Sequence, residues 1–385
     1  MTGVQTCALP ISLESKVLLE ADSNAIYAQG YVLFLRENAL MAQPFDAKRL
    51  TLTGEAAPLA EQVQRGGMNE YGLFSASETG LLAYQAGAEF DDLRLTWMDR
   101  SGKRLSTAGD PGSLGWMQLS PDQKSAAVQV TERNNRDIWI YDLVRGLRTR
   151  FTFDPAVEVE PVWSPNGRMV VFNSDRKGRL DLYRKASDGT GAEELVYSDG
   201  LDKYPNSWSP DGRFLLYSAI DPKTGYDIWV LPLEAAAKPY PLLQTRFFER
   251  NAQFSPDGRW VAYISDESGR NEIYVIPFRP EGGAPGGKRQ VSSAGGTLPR
   301  WRRDGKELFY IGSDGKLMAA EVGAKGGTFE VGSVNALFGG LISGRGFLYD
   351  VAADGQRFLA VVPPEQGTNA EPLTVVQNWT AGLKK

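Results

Sequence analysis

The chain has 385 residues, 42% of them hydrophobic and 11% aromatic, and a formal net charge of -5. This slightly acidic balance, with no basic stripe, is typical of a globular protein and argues against nucleic acid as a partner. Histidine is absent and Cys7 is the single cysteine, which excludes a Ser-His-Asp triad, a Cys-His pair and a His or multi-Cys zinc site. Carboxylate, lysine or tyrosine chemistry stays open.

The N-terminal residues 2–11, TGVQTCALPI, differ in character from the rest of the chain. They correspond codon by codon to the translation of a widely used sequencing-library adapter. We therefore expect residues 1–11 to be foreign to the fold and residues 12–385 to be the folded part, with the native polypeptide beginning upstream. No run approaches the roughly 18 consecutive apolar residues of a membrane span, and neither end has the features of a signal peptide.

Short apolar runs begin immediately after this segment. Residues 15–20 predict a lone outer strand, followed by the turn residues Asp22, Ser23 and Asn24. Further runs rich in β-branched and aromatic residues follow at 25–28, 31–35, 39–45, 58–63, 81–84 and 95–98. Runs of this length, separated by Gly, Asn and Asp, predict β-strands and no helix.

From about residue 119 onward the strands are organised by a repeated phrase. Its best copy is Trp208-Ser209-Pro210-Asp211-Gly212-Arg213, and the acid or amide in its fourth position recurs at Asp122, Asn166, Asp211, Asp257, Asp304 and Asp354. The intervals of 44, 45, 46, 47 and 50 residues are in or just beyond the range of β-propeller blades. Pro presets φ, Asp caps the turn and Gly supplies a left-handed residue, so the phrase predicts a hairpin turn.

Each period contains four strand-like runs, as one propeller blade does. The third run opens with an acid in four successive repeats, at Asp137, Asp181, Asp227 and Glu272. A ligand for a single site would not recur in this way, so we interpret these acids as structural carboxylates that satisfy hairpin donors.

The sequence thus predicts an all-β fold, a β-propeller of four-stranded antiparallel blades with eight blade-like repeats. The strand at 15–20 would close one ring onto a last blade that shows three strands, because closure removes the free edge. The alternatives are seven blades, or blades shared between two six-bladed rings in the intact protein. The predicted blades are 25–63, 69–107, 115–153, 157–198, 203–245, 250–292, 298–338 and 345–385.

Catalytic motifs are not supported. Residues 282–288 have the spacing of a phosphate-binding loop, but Arg289 follows where Ser or Thr is required and no helix is predicted there. No G-x-S-x-G elbow and no kinase signature occurs in the chain. The sequence predicts no catalytic residue, no cofactor and no metal site.

The first strands of a propeller line a central channel, and the loops that enter them open on one face. Those loops predict a channel mouth that mixes acids, bases and an aromatic residue: Glu158, Glu160, Lys203, Tyr204, Glu249, Arg250 and Arg300. Such a mixture suits a protein or peptide partner. The alternative is a solvated rim of ordinary charges.

The phrase W-S-P-D-G-R, followed by apolar residues and D-I-W, resembles the TolB-like propeller repeats of bacteria. Within that group the chain resembles the C-terminal propeller region of bacterial transmembrane serine/threonine kinases. The supporting phrases are YVLFLRE at 31–37, LMAQPFD at 40–46, RWRRDGKELFY at 300–310 and NWTAGLKK at 378–385.

This resemblance implies a sensing or protein-binding domain on the periplasmic or extracytoplasmic side of the membrane. A kinase domain and a membrane span would lie upstream, so the chain would meet the membrane only through that missing span and would not itself be an enzyme. One alternative is a free periplasmic TolB-like propeller for interactions between envelope proteins. Another is a propeller enzyme that uses carboxylates in its channel.

Overall fold

The computed structural model describes residues 17–19, 21, 23–36, 39–66, 71–86, 93–132, 135–234, 237–282, 286–341, 346–364 and 373–383. These residues form antiparallel β-strands and one 3-10 helix, Trp379–Leu383, which confirms the all-β class. In this part of the chain no helix is long and apolar enough to cross a membrane. The chain divides into two compact units, 92–364 and 1–91 with 365–385.

The strands are numbered in chain order. They are β1 (Ala25–Ala28), β2 (Tyr31–Arg36), β3 (Ala39–Asp46), β4 (Thr51–Leu52), β5 (Ala57–Ala60), β6 (Arg65–Gly66), β7 (Tyr71–Gly72), β8 (Phe74–Ala76), β9 (Leu81–Gln85), β10 (Leu93–Asp99), β11 (Arg104–Leu119), β12 (Ser125–Glu132), β13 (Asn135–Asp142), β14 (Leu147–Arg150), β15 (Glu158–Trp163), β16 (Met169–Ser174), β17 (Asp181–Ala186), β18 (Glu194–Tyr197), β19 (Lys203–Trp208), β20 (Phe214–Asp221), β21 (Gly225–Pro232), β22 (Tyr240–Leu243), β23 (Glu249–Phe254), β24 (Trp260–Ser265), β25 (Glu272–Pro277), β26 (Arg289–Gln290), β27 (Gly296–Trp301), β28 (Glu307–Gly312), β29 (Leu317–Lys325), β30 (Thr328–Ala336), β31 (Tyr349–Val351), β32 (Arg357–Val362) and β33 (Leu373–Gln377).

In the unit 92–364 the described strands form six four-stranded antiparallel sheets. Five follow one another along the chain: β11–β14, β15–β18, β19–β22, β23–β26 and β27–β30. The long strand β11 takes part in two sheets, because residues 104–112 pair with β10 whereas residues 113–119 pair with β12. The sixth sheet has the order β11-β10-β32-β31 and therefore combines strands from both ends of the unit.

Apolar cores lie between successive sheets of this unit. One core combines Phe214 and Ile228 of one sheet with Phe254, Val261 and Tyr274 of the next, all of them buried. Both faces of the middle strands are covered in this way, since β24 is buried along its whole length. No sheet could bury its two faces alone, so neighbouring sheets stabilise each other.

The first strand of each sheet faces the same interior and contacts its neighbours, so that these strands form a closed circuit within this unit. They are β11 (residues 113–119), β15, β19, β23, β27 and, in the sixth sheet, β31. Gln118 Oε1 accepts a hydrogen bond from Trp163 N, and Gln253 Nε2 donates one to Asn206 O. At the last junction the Asp350 carboxylate accepts a hydrogen bond from Leu119 N. These bonds connect β11 with β15, β19 with β23, and β31 with β11, so we call the six first strands the inner strands.

The structure does not confirm the ring closure predicted from residues 15–20. Among those residues, the described 17–19 form no strand. The last strand, β33, pairs with β9, while β32 pairs with β10. The predicted blades 69–107 and 345–385 are therefore divided: the described strands of the first belong to three sheets and those of the second to two. The repeat spacing reflects hairpins between strands that follow one another in the chain. A sheet that combines strands from distant parts of the chain produces no regular spacing in the sequence.

The second unit contains two larger sheets and one small one in its described part. Strands β1 to β4 form one sheet with β5 beside β3, β8 and β9 pair with β33, and β6 pairs with β7. Leu33, Leu40, Phe74, Leu82 and Trp379 form its buried core. Residues 1–16, with the suspected adapter segment, lie outside the described residues.

The repeated phrase folds as the hairpin between the first and second strands. Ser209 Oγ accepts a hydrogen bond from Phe214 N and donates one to Asp211, whose carboxylate also accepts from Arg213 N. Gly258 of the next turn has φ of 71°, and a Cβ atom there would lie 3.5 Å from Cδ of Pro210. Glycine is therefore favoured by its left-handed conformation, whereas a Cβ atom would make only an ordinary van der Waals contact with the proline.

Candidate binding site along the inner strands

The seven residues predicted at the channel mouth lie in the inner strands β15, β19, β23 and β27, not in the loops that precede them. Tyr204 is half-buried, and the other six side chains are buried. The expectation of an exposed, solvated rim is therefore wrong for these positions. Apolar patterning could not reveal this, because charged residues on a short strand are usually taken as solvent-facing.

Each of these inner strands is irregular at its centre. The register shifts between Val159 and Val162 in β15 and at corresponding places in the next three inner strands. Glu160, Asn251 and Leu298 have φ of 54°, 58° and 57°, a left-handed conformation that is costly for non-glycine residues. Bulges of this kind re-aim side chains next to functional sites.

The structure brings together three of the seven predicted residues: Glu160, Tyr204 and Arg250. Its guanidinium lies 3.4 Å from Glu160 Oε1 and stands over the rings of Tyr204, Tyr226 and Trp116 at 5.4, 5.0 and 5.7 Å. Glu160 and Arg250 belong to β15 and β23, with β19 between them in the circuit, so the ion pair spans the interior. We call these five residues the Arg250 cluster.

Trp116 and Tyr226 were missed by the sequence analysis. Trp116 lies in β11, where no aromatic residue of the repeated phrase is expected, and Tyr226 opens the third strand of its sheet. Both are half-buried. The ring of Tyr226 also lies 5.0 Å from that of Phe248, which extends the aromatic surface.

The carboxyl of Glu160 is only partly satisfied in the cluster. Its Oε2 atom is buried and has no hydrogen-bond partner among the described residues. Burial raises the pKa of Glu160 to about 7, against an opposing effect of Arg250. A buried carboxylate oxygen without a donor costs free energy, so a ligand that supplies a donor here would be stabilised.

Three of the remaining predicted residues hold neighbouring segments together. Glu158 accepts hydrogen bonds from Ser174 Oγ and Arg176, both at 3.0 Å. Lys203 Nζ donates to Asp181 at 3.1 Å, and Glu249 accepts from Thr245 at 2.5 Å. We assign these side chains to the packing of the sheets and not to a shared site.

Arg300, the seventh residue, lies in a separate group. Its Nη1 donates to Gln253 Oε1 at 2.8 Å, its Nε is 3.5 Å from Asp350, and its guanidinium stands 3.7 Å from the ring centre of Phe347. Burial lowers its pKa from the usual arginine value. These contacts connect β27 with β23 and β31, the strands on either side of it.

The acids at the start of the third strands are satisfied by the segment that leads to the next sheet. Asp137 accepts from Thr152, Asp181 from Lys203, and Glu272 from the backbone N–H of Gly295. Asp227 accepts from Thr224 of the preceding hairpin and from Gln244 after β22. The donors therefore come from both the hairpin and the connection, which agrees with a structural role for these acids. Within the described ranges no three carboxylate or cysteine side chains come together to hold a metal ion.

Comparison with known proteins agrees with this architecture. Residues 95–226 match the family model of the TolB beta propeller domain. An uncharacterized protein of Agrobacterium fabrum is 30% identical over 179 residues, which are 45% of this chain and 59% of that protein. The Tol-Pal system protein TolB of Wolinella succinogenes is 24% identical over 179 residues, 46% of this chain and 42% of TolB.

Among solved structures, a protein assigned as TolB from Agrobacterium tumefaciens has a TM-score of 0.58 at 19% identity, and the match covers 70% of this chain and 98% of that one. At this identity the likeness concerns the fold alone. The chain spans about half the length of the curated relatives it matches. Residues 95–226 thus match the TolB beta propeller domain, and the repeated turn phrase and the four-stranded sheets of the unit 92–364 agree with that match.

Proposed function

We propose that the domain is a non-catalytic binding propeller that holds a protein or peptide partner at the Arg250 cluster. The observation that carries the proposal is the buried Glu160 Oε2 without a donor, next to an arginine surrounded by three aromatic rings. Tyrosine, tryptophan and arginine dominate the binding energy of protein interfaces. A peptide supplies both an N–H donor for Glu160 and apolar groups for the rings.

The geometry favours binding over catalysis. Burial raises the pKa of Glu158, Glu160 and Glu249 to about 7, which would suit general acid-base chemistry and keeps a carboxylate enzyme as the second candidate. However, each of the three carboxyls contacts a different partner: Arg176, Arg250 and Thr245. An acid and a base acting on one bond would have to converge on it.

The larger setting is also a proposal. We infer an extracytoplasmic domain of a bacterial serine/threonine kinase, supported by the resemblance of the phrases at 31–46, 300–310 and 378–385, with a free envelope propeller as the alternative. A relative named for the Tol-Pal system supports either setting. The source DNA upstream of Ser12 distinguishes them, because a kinase domain and a membrane span in frame support the first and a signal peptide alone supports the second.

Peptide selection tests the binding site. Peptides selected from a random displayed library against the native propeller should bind the double variant Tyr204→Ala/Tyr226→Ala at least about tenfold more weakly, since aromatic anchors contribute about 2 kcal/mol or more. Titration of purified peptides by fluorescence anisotropy measures the loss. Leu147→Ala is the control, because Leu147 is 62% exposed on the outer strand β14. Equal affinity for the double variant and the native protein contradicts the proposed site.

A further inference from the structure

A cavity lies in the unit 92–364, at the end of the inner strands where the repeated turns are. It has a volume of about 370 Å³ and opens between the sheets β23–β26 and β27–β30. Its apolar wall consists of Trp260, Trp301 and Phe329, with ring centres 5.2 Å apart for Trp260 and Phe329 and 5.9 Å apart for Trp301 and Phe329. The Arg250 cluster shares no residue with this wall.

Beside this cavity the junction between the sheets is filled from a different strand than in the preceding junction, because Phe329 of β30 contacts Trp260 and Trp301 here. Between β19–β22 and β23–β26, Phe278 packs edge-on against Phe214 and Phe254 at 5.4 and 4.8 Å. Its backbone N–H donates to Arg259 O, just before the second strand of its sheet, and Val322 N donates to Lys306 O in the same way. Val322 is therefore the counterpart of Phe278.

Residues after this position also differ. Arg279 follows Phe278, whereas Gly323 and Ala324 follow Val322, and all three residues of the second segment line the cavity. The smaller side chains leave open volume beside the wall, although Trp260 and Phe329 themselves are buried. The open volume thus follows from local sequence within a repeated architecture.

The charges at the rim are not balanced. Asp257 is paired with Arg259 at 2.7 Å, and Asp304 is paired with Arg302, so both acids are neutralised. Arg303 is exposed, and its only hydrogen bond in the described part of the chain goes to the backbone oxygen of Pro121 at 3.2 Å. Lys306 is also exposed; it forms no ion pair among the described residues, although its charge acts on the nearby Asp304. Two cations therefore remain available beside an aromatic wall.

We propose that this cavity binds a short acidic peptide segment of a partner protein. One aromatic side chain of the segment packs in the cavity against the wall formed by Trp260, Trp301 and Phe329, and adjacent carboxylates contact Arg303 and Lys306. The volume is at the small end of the roughly 300–1,000 Å³ typical of ligand sites. This site is independent of the proposed function of the channel, because neither its walls nor its charges involve the Arg250 cluster.

Matched tripeptides test the ligand chemistry. The probe is acetyl-Glu-Phe-Glu-amide, and its controls are acetyl-Gln-Phe-Gln-amide, acetyl-Lys-Phe-Lys-amide and acetyl-Glu-Ala-Glu-amide. In protein labelled with ¹⁵N-tryptophan, the probe should shift the indole signals of Trp260 and Trp301, and each control should bind more weakly. Equal binding of the Gln peptide overturns the role of charge, and equal binding of the Ala peptide overturns the aromatic pocket. Absence of any indole shift overturns the site.

Variants test the location. Val322→Phe/Gly323→Arg restores the side chains of the preceding junction and should abolish binding of the probe. Lys306→Gln should weaken binding of the probe about two- to fivefold, as expected for an exposed charge pair. Lys306→Glu should shift the preference of the site toward the Lys peptide and leave the buried wall unchanged. Lys124→Gln, at the same turn position of another sheet, is the control. Unchanged peptide preference in Lys306→Glu overturns the proposal even where the filled variant fails to fold.

Discussion

At the scale of single residues, Glu160 is the position where an unusual backbone conformation, burial and an ion pair coincide. It combines a left-handed backbone, a buried carboxyl and an ion pair with a residue two inner strands away. Each feature costs free energy by itself, and none is needed to form a strand. Asn251 of β23 and Leu298 of β27 hold the same strand position in the same conformation, whereas Pro205 of β19 does not adopt it. The conformation thus recurs in the fold, while the carboxyl belongs to this site.

The titration of Glu160 gives a pH-dependent prediction. Because burial raises its pKa from 4.5 to about 7, the native protein binds more protons than the unfolded chain between these values. The free energy of unfolding should therefore fall as pH rises through this window. Glu160→Gln removes the effect, so the stability of the variant relative to the native protein should rise with pH, by at most about 3 kcal/mol.

Urea unfolding followed by circular dichroism from pH 4 to pH 8 measures this difference. Glu330→Gln, on the exposed face of β30, is the matched control and should give a difference that does not change with pH. A relative stability of Glu160→Gln that falls as pH rises would mean that the ion pair with Arg250 outweighs burial, and would contradict the prediction.

At the scale of the element, the turn between the first two strands is the unit that recurs. Ser120, Ser164, Ser209 and Ser255 each accept a hydrogen bond from the backbone five residues on and donate one to the side chain two residues on. Where the serine is replaced by Arg302, its Nε donates to Asp304 at 2.7 Å instead. The turn survives because the carboxylate keeps a local donor.

Removal of one of these hydroxyls should destabilise the domain. Ser209→Ala leaves the N–H of the buried Phe214 without its acceptor, so the free energy of unfolding should fall by about 1–3 kcal/mol. Chemical denaturation measures the loss. Ser268→Ala, at an exposed turn, should change it by less than about 0.5 kcal/mol. A loss in Ser209→Ala no larger than this control would show that water replaces the hydroxyl.

At the scale of the whole molecule, the pairing of β10 with β32 decides the architecture of the unit 92–364. Six residues of each strand pair in one antiparallel register, and Phe358, Ala360 and Val362 are buried in the core that contains Phe309. Arg100, just after β10, adds a bidentate ion pair with Glu307 at 2.9 and 3.1 Å. The two ends of the unit are thus joined by backbone pairing, apolar packing and charge.

A disulfide tests this closure. Thr96 and Ala360 are directly opposite in the register and buried, and opposite Cβ atoms in antiparallel strands are about 4.5–5.5 Å apart, near disulfide range. In a Cys7→Ser background, Thr96→Cys/Ala360→Cys should oxidise spontaneously and raise the free energy of unfolding by about 2–5 kcal/mol. Thiol titration and urea unfolding with and without reductant measure it. Free thiols after oxidation would contradict the pairing, and Thr96→Cys alone is the control.

The sequence by itself determined the all-β class, the four-stranded repeat and the resemblance to TolB propellers, because turn chemistry and strand periodicity involve residues close together in the chain. It also identified Glu160, Tyr204 and Arg250, since the first strand of each repeat could be located from the turn phrase. Their contact, the burial of the other four predicted residues and the roles of Trp116 and Tyr226 depend on how different sheets face one another.

Only the tertiary structure decided how the unit closes and where its cavities lie. Thr96 and Ala360 are 264 positions apart, and the choice of β32 as the partner of β10 depends on which apolar faces pack together, not on any local pattern. The cavity beside Trp260 likewise depends on how two sheets meet, because Phe329 packs on Trp260 from one strand while Val322 and Gly323 of another leave space beside it. Both features depend on contacts between residues of different sheets, and the sequence pattern of one repeat contains no information about those contacts.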